Sequence, residues 1–187
     1  NMSGARVLEI KGTVVQGFEG ARDAFAANFE KGGEVGASFA VWKDGDYLVD
    51  LWGGHADSAL SKPWVRDTLP NVWSTTKAVG ALCIAMLVER GLLSYDDKIT
   101  KHWPEFGAHG KDVLTVGQVM SHQSGVSTVR EPLKTEDLFD HDKMARRMAA
   151  AEPLWKPGTR SGYHALTYAF PTGELVKRLT GKSIGQF

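Results

Sequence analysis

The chain has 187 residues, of which 42% are hydrophobic and 24% are charged, with 22 lysines and arginines against 22 aspartates and glutamates. This length is enough to bury a core, and the composition is that of a globular protein, which excludes disordered, collagen-like and disulfide-scaffold chains. The zero formal net charge leaves no electrostatic footprint for nucleic acid or an anionic membrane, so neither is expected as a partner.

Targeting and redox features point to the cytoplasm. The segment Asn1 to Gly20 lacks the apolar stretch of a signal peptide, and the longest apolar run, Ala78 to Val88, is too short to span a bilayer. The single cysteine, Cys83, cannot form an intramolecular disulfide, and its apolar neighbours predict a small buried core residue. We therefore expect a cytoplasmic protein.

The first third of the chain predicts a helix followed by a hairpin. An amphipathic helix is expected over Gly20–Gly32. Two β-rich runs, Ala37–Trp42 and Tyr47–Trp52, flank Asp44-Gly45, which is a strong signal for a tight hairpin turn. Three aromatic residues share one face of the predicted helix: Phe18, Phe25 and Phe29.

The rest of the chain predicts helices and loops. A polar loop over His55–Asn71 precedes Lys77–Arg90, a nearly all-apolar helix of the kind that belongs inside a protein. Further helices are expected at Val116–His122 with Thr115 as its cap, at Asp140–Ala151, and at Gly173–Leu179. This order favours an α+β fold with an antiparallel sheet. No strand besides the hairpin is predicted, so the sheet is expected to be incomplete.

Several kinds of site are excluded by the motifs that the sequence lacks. No Gly-x-Ser-x-Gly elbow, P-loop or dinucleotide-binding loop occurs. The six histidines show no His-x-x-x-His spacing, so no metal and no cofactor is expected.

One candidate nucleophile remains, in Ser74-Thr75-Thr76-Lys77 at the start of the apolar helix. Ser74 and Lys77 lie one turn apart on the same face, so the hydroxyl and the amine can meet. The helix N-terminus favours negative charge on the Ser74 oxygen, and an amine held there out of water tends toward its neutral form. The alternative is that Ser74 caps the helix while Lys77 points into solvent.

Tyr163 is the expected second proton carrier. It follows a turn-rich approach, Trp155 to Gly162, that can hold a phenol at a fixed place. A coupled lysine and tyrosine can move one proton at neutral pH. The alternative is a buried tyrosine whose hydroxyl is satisfied by a structural hydrogen bond.

These residues resemble a known superfamily, the serine β-lactamases and penicillin-binding-protein-like proteins. The chain is most similar to the class C β-lactamase-like carboxylesterases, the family VIII esterases. Four motifs that are weak singly follow the order seen in this superfamily: Ser74-Thr75-Thr76-Lys77, Gly91-Leu92-Leu93 with Asp96-Asp97, Ser121-His122-Gln123-Ser124-Gly125, and Trp155-x-Pro157-Gly158-Thr159 before Tyr163-His164.

The resemblance implies a β-lactamase/transpeptidase-like fold, with an antiparallel sheet flanked by helices and a helical region. Residues 1–93 would form the N-terminal part of the mixed α/β domain, and residues 94–187 a mostly helical region. The strands that complete the family's sheet have no match here. The chain is thus expected to correspond to the N-terminal half, with the remainder of the parent chain as its partner.

The resemblance also implies roles for the site residues. Ser74 would be the acyl-accepting nucleophile, Lys77 its proton acceptor, and Tyr163 the relay to the leaving group. The Ser74 backbone N–H would form half of an oxyanion hole, worth on the order of 3 kcal/mol. His122 and Gly125 match a segment that mainly shapes the helical region, and they are not expected to be catalytic.

The implied function is a serine hydrolase, a carboxylesterase on short-acyl esters that forms an acyl-serine intermediate. A β-lactamase or D-Ala-D-Ala peptidase-like enzyme is the alternative within the enzymes. A non-catalytic scaffold, or a piece that is inactive by itself, is the alternative outside them. The expected partner is a small-molecule ester or lactam, and a homo-oligomer is left open.

Three departures from the family pattern matter. Ala165 stands where serine or asparagine is common, which favours an esterase over a β-lactamase. Pro171 falls where an uninterrupted helix is expected, at a cost of about 3 kcal/mol unless it lies at the helix start. The family's third motif, which supplies the second oxyanion donor, has no match, since Trp52-Gly53-Gly54 precedes Ser74.

Overall fold

Three strands form one antiparallel sheet in the first part of the chain. The computed structural model describes residues 8–187. Strands β1 (Ile10–Val14), β2 (Gly36–Lys43) and β3 (Asp46–Gly54) lie in the order β1-β3-β2. Asp44 and Gly45 connect β2 to β3 with φ angles of 52° and 94°. Two successive positive φ angles are the geometry of the two-residue turn that Asp-Gly favours, so the predicted hairpin is confirmed.

Strand β1 corrects the expectation that the hairpin stands alone. It pairs with β3 from Ile10 opposite Gly53 to Val14 opposite Val49. Its central residue, Gly12, has a φ of 100°, and a β-carbon there would lie 1.9 Å from the carbonyl oxygen of Asp50. Only glycine fits this close approach, so the central inward-facing position of β1 carries no apolar side chain. The alternation of apolar and polar side chains along the strand is interrupted there. The period-two signal of a strand is lost as a result.

Helix α1 (Glu19–Glu30) covers one face of this sheet. Phe25 packs edge-to-face on Phe29 at 5.4 Å between ring centroids, and both contact a small core with the fully buried Val49 and Leu51. Phe18 precedes the helix and is exposed, so only two of the three aromatic residues that were predicted to share a face enter the core.

The chain divides into two compact units, one ending at Asn71 and one comprising Val72–Phe187. The boundary predicted at residue 93 refers to the organisation of the whole protein and stays a prediction. The expectation that no signal peptide opens the chain falls in part on residues 1–7, which lie outside the described residues. In residues 8–187 no helix is both long and apolar enough to cross a membrane.

The second unit is helical. Its helices are α2 (Thr76–Glu89), α3 (Ile99–His102), α4 (Val116–Met120), α5 (His141–Ala150) and α6 (Ala169–Thr180). Three 3-10 segments lie between or before them: Trp73–Thr75, Pro104–Val113 and Thr135–Phe139. One core joins residues from these elements, including the fully buried Ile84, Leu87, Phe106, Met144 and Leu175.

The predicted helix ends are largely confirmed. The Thr115 hydroxyl accepts a hydrogen bond from the N–H of Gln118, whose side chain returns to the Thr115 N–H, so α4 begins with a capping box. Asp140 caps α5, and Gly181 ends α6 with a φ of 72°. Pro171 is the third residue of α6, which begins four residues earlier than predicted. Its missing N–H therefore falls in the first turn, where helices leave that donor unused.

The apolar helix α2 is not wholly buried, contrary to its all-round apolar pattern. Ile84 and Leu87 are fully buried, but Val79 and Leu82 are each 59% exposed. Cys83 is partly buried against the core rather than enclosed by it. The described second unit covers one side of α2, chiefly through α6, and leaves the other side open.

Candidate active site

Ser74 and Lys77 meet at the start of α2. Ser74 is the middle residue of the 3-10 turn Trp73–Thr75, which runs directly into the helix. The Lys77 ammonium donates to the Ser74 hydroxyl oxygen at 3.1 Å between Nζ and Oγ. Lys77 therefore points at Ser74 and not into solvent. Ser74 is exposed and Lys77 is partly buried, so the expected exclusion of water from the amine is only partial in the described chain.

The backbone just before Ser74 is strained. Trp73 has a φ of 47°, in the left-handed region that a bulky residue rarely adopts. Such a conformation costs about 1–3 kcal/mol and is retained where the surrounding structure or function requires it. The turn presents Ser74 at the surface, beside the 81% exposed ring of Trp73.

Tyr163 completes the group. Its hydroxyl forms hydrogen bonds with Ser74 and with Lys77, and these bonds, in that order, lower the pKa of Tyr163 below its usual 10.0. The Lys77 ammonium also lies 5.0 Å from the centroid of the Tyr163 ring. Tyr163 is 57% exposed, so it is not the enclosed structural tyrosine of the alternative reading. All three residues predicted for the site thus lie together in the second unit.

The loop that carries Tyr163 is fastened to the segment that follows α4. Backbone hydrogen bonds join the two from end to end, and the Ser161 hydroxyl donates to the carbonyl of Ser121 at 3.0 Å. The backbone bonds run from Leu154 N–H to Gly125 O (2.8 Å), from Gly158 N–H to Gln123 O (3.0 Å) and from Gly162 N–H to His122 O (3.0 Å). The segment Ser121–Gly125 therefore does more than shape the helical region, because it fixes the position of the Tyr163 loop.

Side chains add to this connection. The Ser124 hydroxyl and His164 Nε2 lie 2.8 Å apart, and the backbone N–H of His164 donates to Nδ1 of His122 at 3.0 Å. His164 Nδ1 faces the carbonyl oxygen of Gly162, which can only accept. His164 therefore carries its proton on Nδ1 and accepts from Ser124 at Nε2. His122 accepts at Nδ1, which places its own proton on Nε2.

Both histidines are held in their neutral form. Burial lowers the pKa of His122, and the nearby Lys77 charge lowers it further. Burial also lowers the pKa of His164, against a smaller opposing effect of its hydrogen bond to the Gly162 carbonyl. Sequence reasoning recognised the His122 and Gly125 motif but missed this role. The partners lie about forty residues away in the chain, and no sequence signal indicated the pairing.

A second group of polar side chains lies between α5 and α6. His141, Asp142 and Glu174 hold ligand-type atoms within 4.8 Å of one another. Lys177 pairs with Asp142 at 2.6 Å, and Arg178 pairs with Glu174 at 2.6 Å. Because these cations already balance both carboxylates, the group is an ion-pair network that ties the two helices.

Comparison with known proteins identifies the family of the chain. Residues 21–187 match the protein family described as Beta-lactamase. The esterase/beta-lactamase LipL of Mycobacterium tuberculosis is 43% identical over 161 residues, which are 86% of this chain and 37% of that protein. A family VIII carboxylesterase crystal structure superimposes with a TM-score of 0.91 at 47% identity, covering 95% of this chain and 49% of that chain.

A second similar structure is that of a penicillin-binding protein homologue from Caulobacter crescentus. It has a TM-score of 0.91 and 43% identity, and the match covers 95% of this chain and 48% of that chain. The fold is therefore β-lactamase/transpeptidase-like, with mixed helix and strand and a small antiparallel sheet, as predicted. The chain spans half or less of the length of each of these three relatives.

Proposed function

This chain belongs to the beta-lactamase family, and on that premise we propose that it is the Ser74-bearing part of a serine hydrolase, a carboxylesterase of short-acyl esters. The observation that carries the proposal is the 3.1 Å contact between Lys77 Nζ and Ser74 Oγ. A serine hydroxyl is a weak nucleophile until a base is positioned to take its proton.

The proposed reaction has two halves. In the first, Ser74 Oγ attacks the ester carbonyl, its proton passes to the Lys77–Tyr163 pair, and the same pair protonates the departing alkoxide. In the second, water attacks the acyl-Ser74 ester and gives one proton to the Lys77–Tyr163 pair, which passes it to Ser74 Oγ as the acid leaves. One ester and one water thus give one acid and one alcohol.

Lys77 and Tyr163 act in this scheme as one proton relay. Hydrogen bonding to Ser74, and then to Lys77, lowers the pKa of the Tyr163 phenol, which eases formation of a phenolate that can accept the Ser74 proton. Proton transfer of this kind contributes typically about 10²–10⁴-fold to the rate.

The negative charge that develops on the carbonyl oxygen of the ester also needs hydrogen-bond donors to stabilise it. The Ser74 N–H is proposed as one donor, at the positive end of α2, where a developing oxyanion is favoured. We assign no second donor within residues 8–187.

A lactam substrate is the second candidate. It is favoured by the name of the LipL relative, which includes both activities, and by the similarity to the penicillin-binding protein homologue. Ala165, at the position two after Tyr163, favours the ester. Rates on nitrophenyl acetate and on nitrocefin, measured with the full-length protein, separate the two. A non-catalytic scaffold would turn over neither substrate.

The direct test is covalent labelling by an organophosphonate probe. The full-length protein is expected to be labelled at Ser74, and Ser74→Ala is expected to abolish both labelling and ester turnover. Ser58→Ala, at an exposed serine of the first unit, is the matched control and is expected to label as the wild type does. Labelling that survives Ser74→Ala refutes the assignment.

The proposal also covers the cellular location, the oligomeric state and the domain division of the protein. A cytoplasmic location and a homo-oligomer stay predictions, as does the division of the domain at residue 93. Fractionation and sedimentation of the full-length protein test the first two.

A further inference from the structure

His122 lies where it can control Tyr163. It follows α4 with a φ of 63°, in the left-handed region that only glycine and asparagine adopt readily. Its ring packs among three others, with centroids 5.1 Å from Tyr163, 4.8 Å from Tyr168 and 5.4 Å from His164. The ring is thus held in one place by aromatic contacts on several sides.

The polar atoms of His122 hold the backbone on both sides of Tyr163. Its carbonyl oxygen accepts the N–H of Gly162 at 3.0 Å, and its Nδ1 accepts the N–H of His164 at 3.0 Å. Gly162 and His164 are the immediate neighbours of Tyr163 in the chain. Two hydrogen bonds from one residue therefore fix the Cα of Tyr163, and one of the two depends on an unprotonated ring nitrogen.

Protonating His122 would remove that second bond. An imidazolium carries a proton on Nδ1, which would then face the N–H of His164, donor against donor. The groups that face the ring are Lys77 from α2, Tyr163 and His164 from the loop, and Tyr168 at the start of α6. None of them is a carboxylate, and the Lys77 charge opposes a positive charge on His122.

We propose that neutral His122 is the positioning residue that holds Tyr163 against Ser74 and Lys77, and that protonation of His122 releases it. The inference rests on the proposed function, because it assigns His122 to the same site. His122 itself need not touch the substrate, since it acts through the backbone of Tyr163.

The test compares two replacements in the full-length protein that both tolerate the left-handed backbone. His122→Asn puts an amide oxygen near the place of Nδ1 and cannot titrate between pH 5 and 8, whereas His122→Gly removes the acceptor. Because a displacement of about 1 Å at a catalytic group can cost about 100-fold, we expect kcat of H122G to fall by that order with little change in KM. H122N is expected to recover most of this loss.

The pH profile gives a readout that a merely structural role would not move. Wild-type kcat is expected to fall on the acid side as His122 gains a proton, and H122N is expected to lack that part of the profile. His109 is the matched control, because it is an exposed histidine with a φ of 57°. H109N and H109G are expected to keep the wild-type kcat and the wild-type profile.

The outcomes separate this inference from the proposed function. Failure of the wild type to be labelled at Ser74 would overturn the proposed function. Normal labelling, with H122G as active as H122N and the same acid limb in both, would overturn the positioning role alone. If H122G does not fold, nitrogen-15 shifts of the wild-type imidazole decide. A proton on Nε2 supports the inference, and a proton on Nδ1 at neutral pH refutes it.

Discussion

Replacing Gly125 by alanine tests whether the segment after α4 truly fastens the Tyr163 loop. Gly125 has a φ of 82°, and an added β-carbon would lie 2.8 Å from Cβ of Pro153 and 2.9 Å from the carbonyl oxygen of Trp155. The left-handed backbone costs alanine about 1–2 kcal/mol. Overpacking against a rigid backbone adds about 1–3 kcal/mol. We therefore expect Gly125→Ala to lower the free energy of unfolding by about 2–5 kcal/mol.

Gly110 supplies the matched control in the same unit. Its φ is 76°, but nothing lies within 4 Å of an added β-carbon, so Gly110→Ala meets only the backbone cost of about 1–2 kcal/mol. The measurement is urea unfolding of both variants in the full-length protein, with ester turnover measured beside it. Equal losses of stability in the two variants would refute the clash, and unchanged turnover in G125A would refute the link to Tyr163.

Four further predictions use the same assays. Tyr163→Phe is expected to lower kcat by about 10²–10⁴-fold while stability changes by less than about 0.5 kcal/mol, and unaltered turnover would contradict the relay. Ser124→Ala loses the buried hydrogen bond to His164, so its free energy of unfolding is expected to fall by about 1–3 kcal/mol, unlike that of the exposed-site variant Ser58→Ala. The pKa values of His122 and His164 are lowered from 6.5 in the fold, so the unfolded chain binds more protons below that pH. Stability is therefore expected to fall as pH drops from about 6.5 through the folded values, and a flat dependence in urea titrations would contradict both shifts. Burial lowers the pKa of Lys111 to about 8, so its contribution to stability rises with pH between there and 10.5, and Lys111→Met is expected to flatten that rise.

Local sequence signals predicted the parts of the fold that depend on neighbours in the chain. Asp44-Gly45 specifies a turn by its own φ preferences, and Thr115 caps a helix within three residues. The spacing of Ser74 and Lys77 likewise places both on one face before any tertiary contact is known. Each of these is a short-range property, which is why the sequence alone suffices.

Long-range contacts explain what was missed. Strand β1 depends on the close approach of Gly12 to Asp50 in β3, and a glycine gives no apolar signal of that pairing. The exposure of Val79 and Leu82 depends on what covers α2, which its own composition cannot report. The residues that bond to His122 follow α5 in the chain, about forty positions later. The motif around His122 therefore indicated a family but predicted no contact.

The hydrogen bonds around Tyr163 also bear on the order in which the protein loses structure. The His122–His164 and Ser124–His164 contacts close loops of 42 and 40 residues, so their formation carries a larger chain-entropy cost than a helical turn. The Tyr163 loop is also exposed or only partly buried over residues 152–163, and segments with few buried contacts open without global unfolding. In hydrogen exchange, the amides of Gly162 and His164 are therefore expected to exchange before those in the middle of α6. Mild denaturant would then disable the site while most of the helical core stays folded.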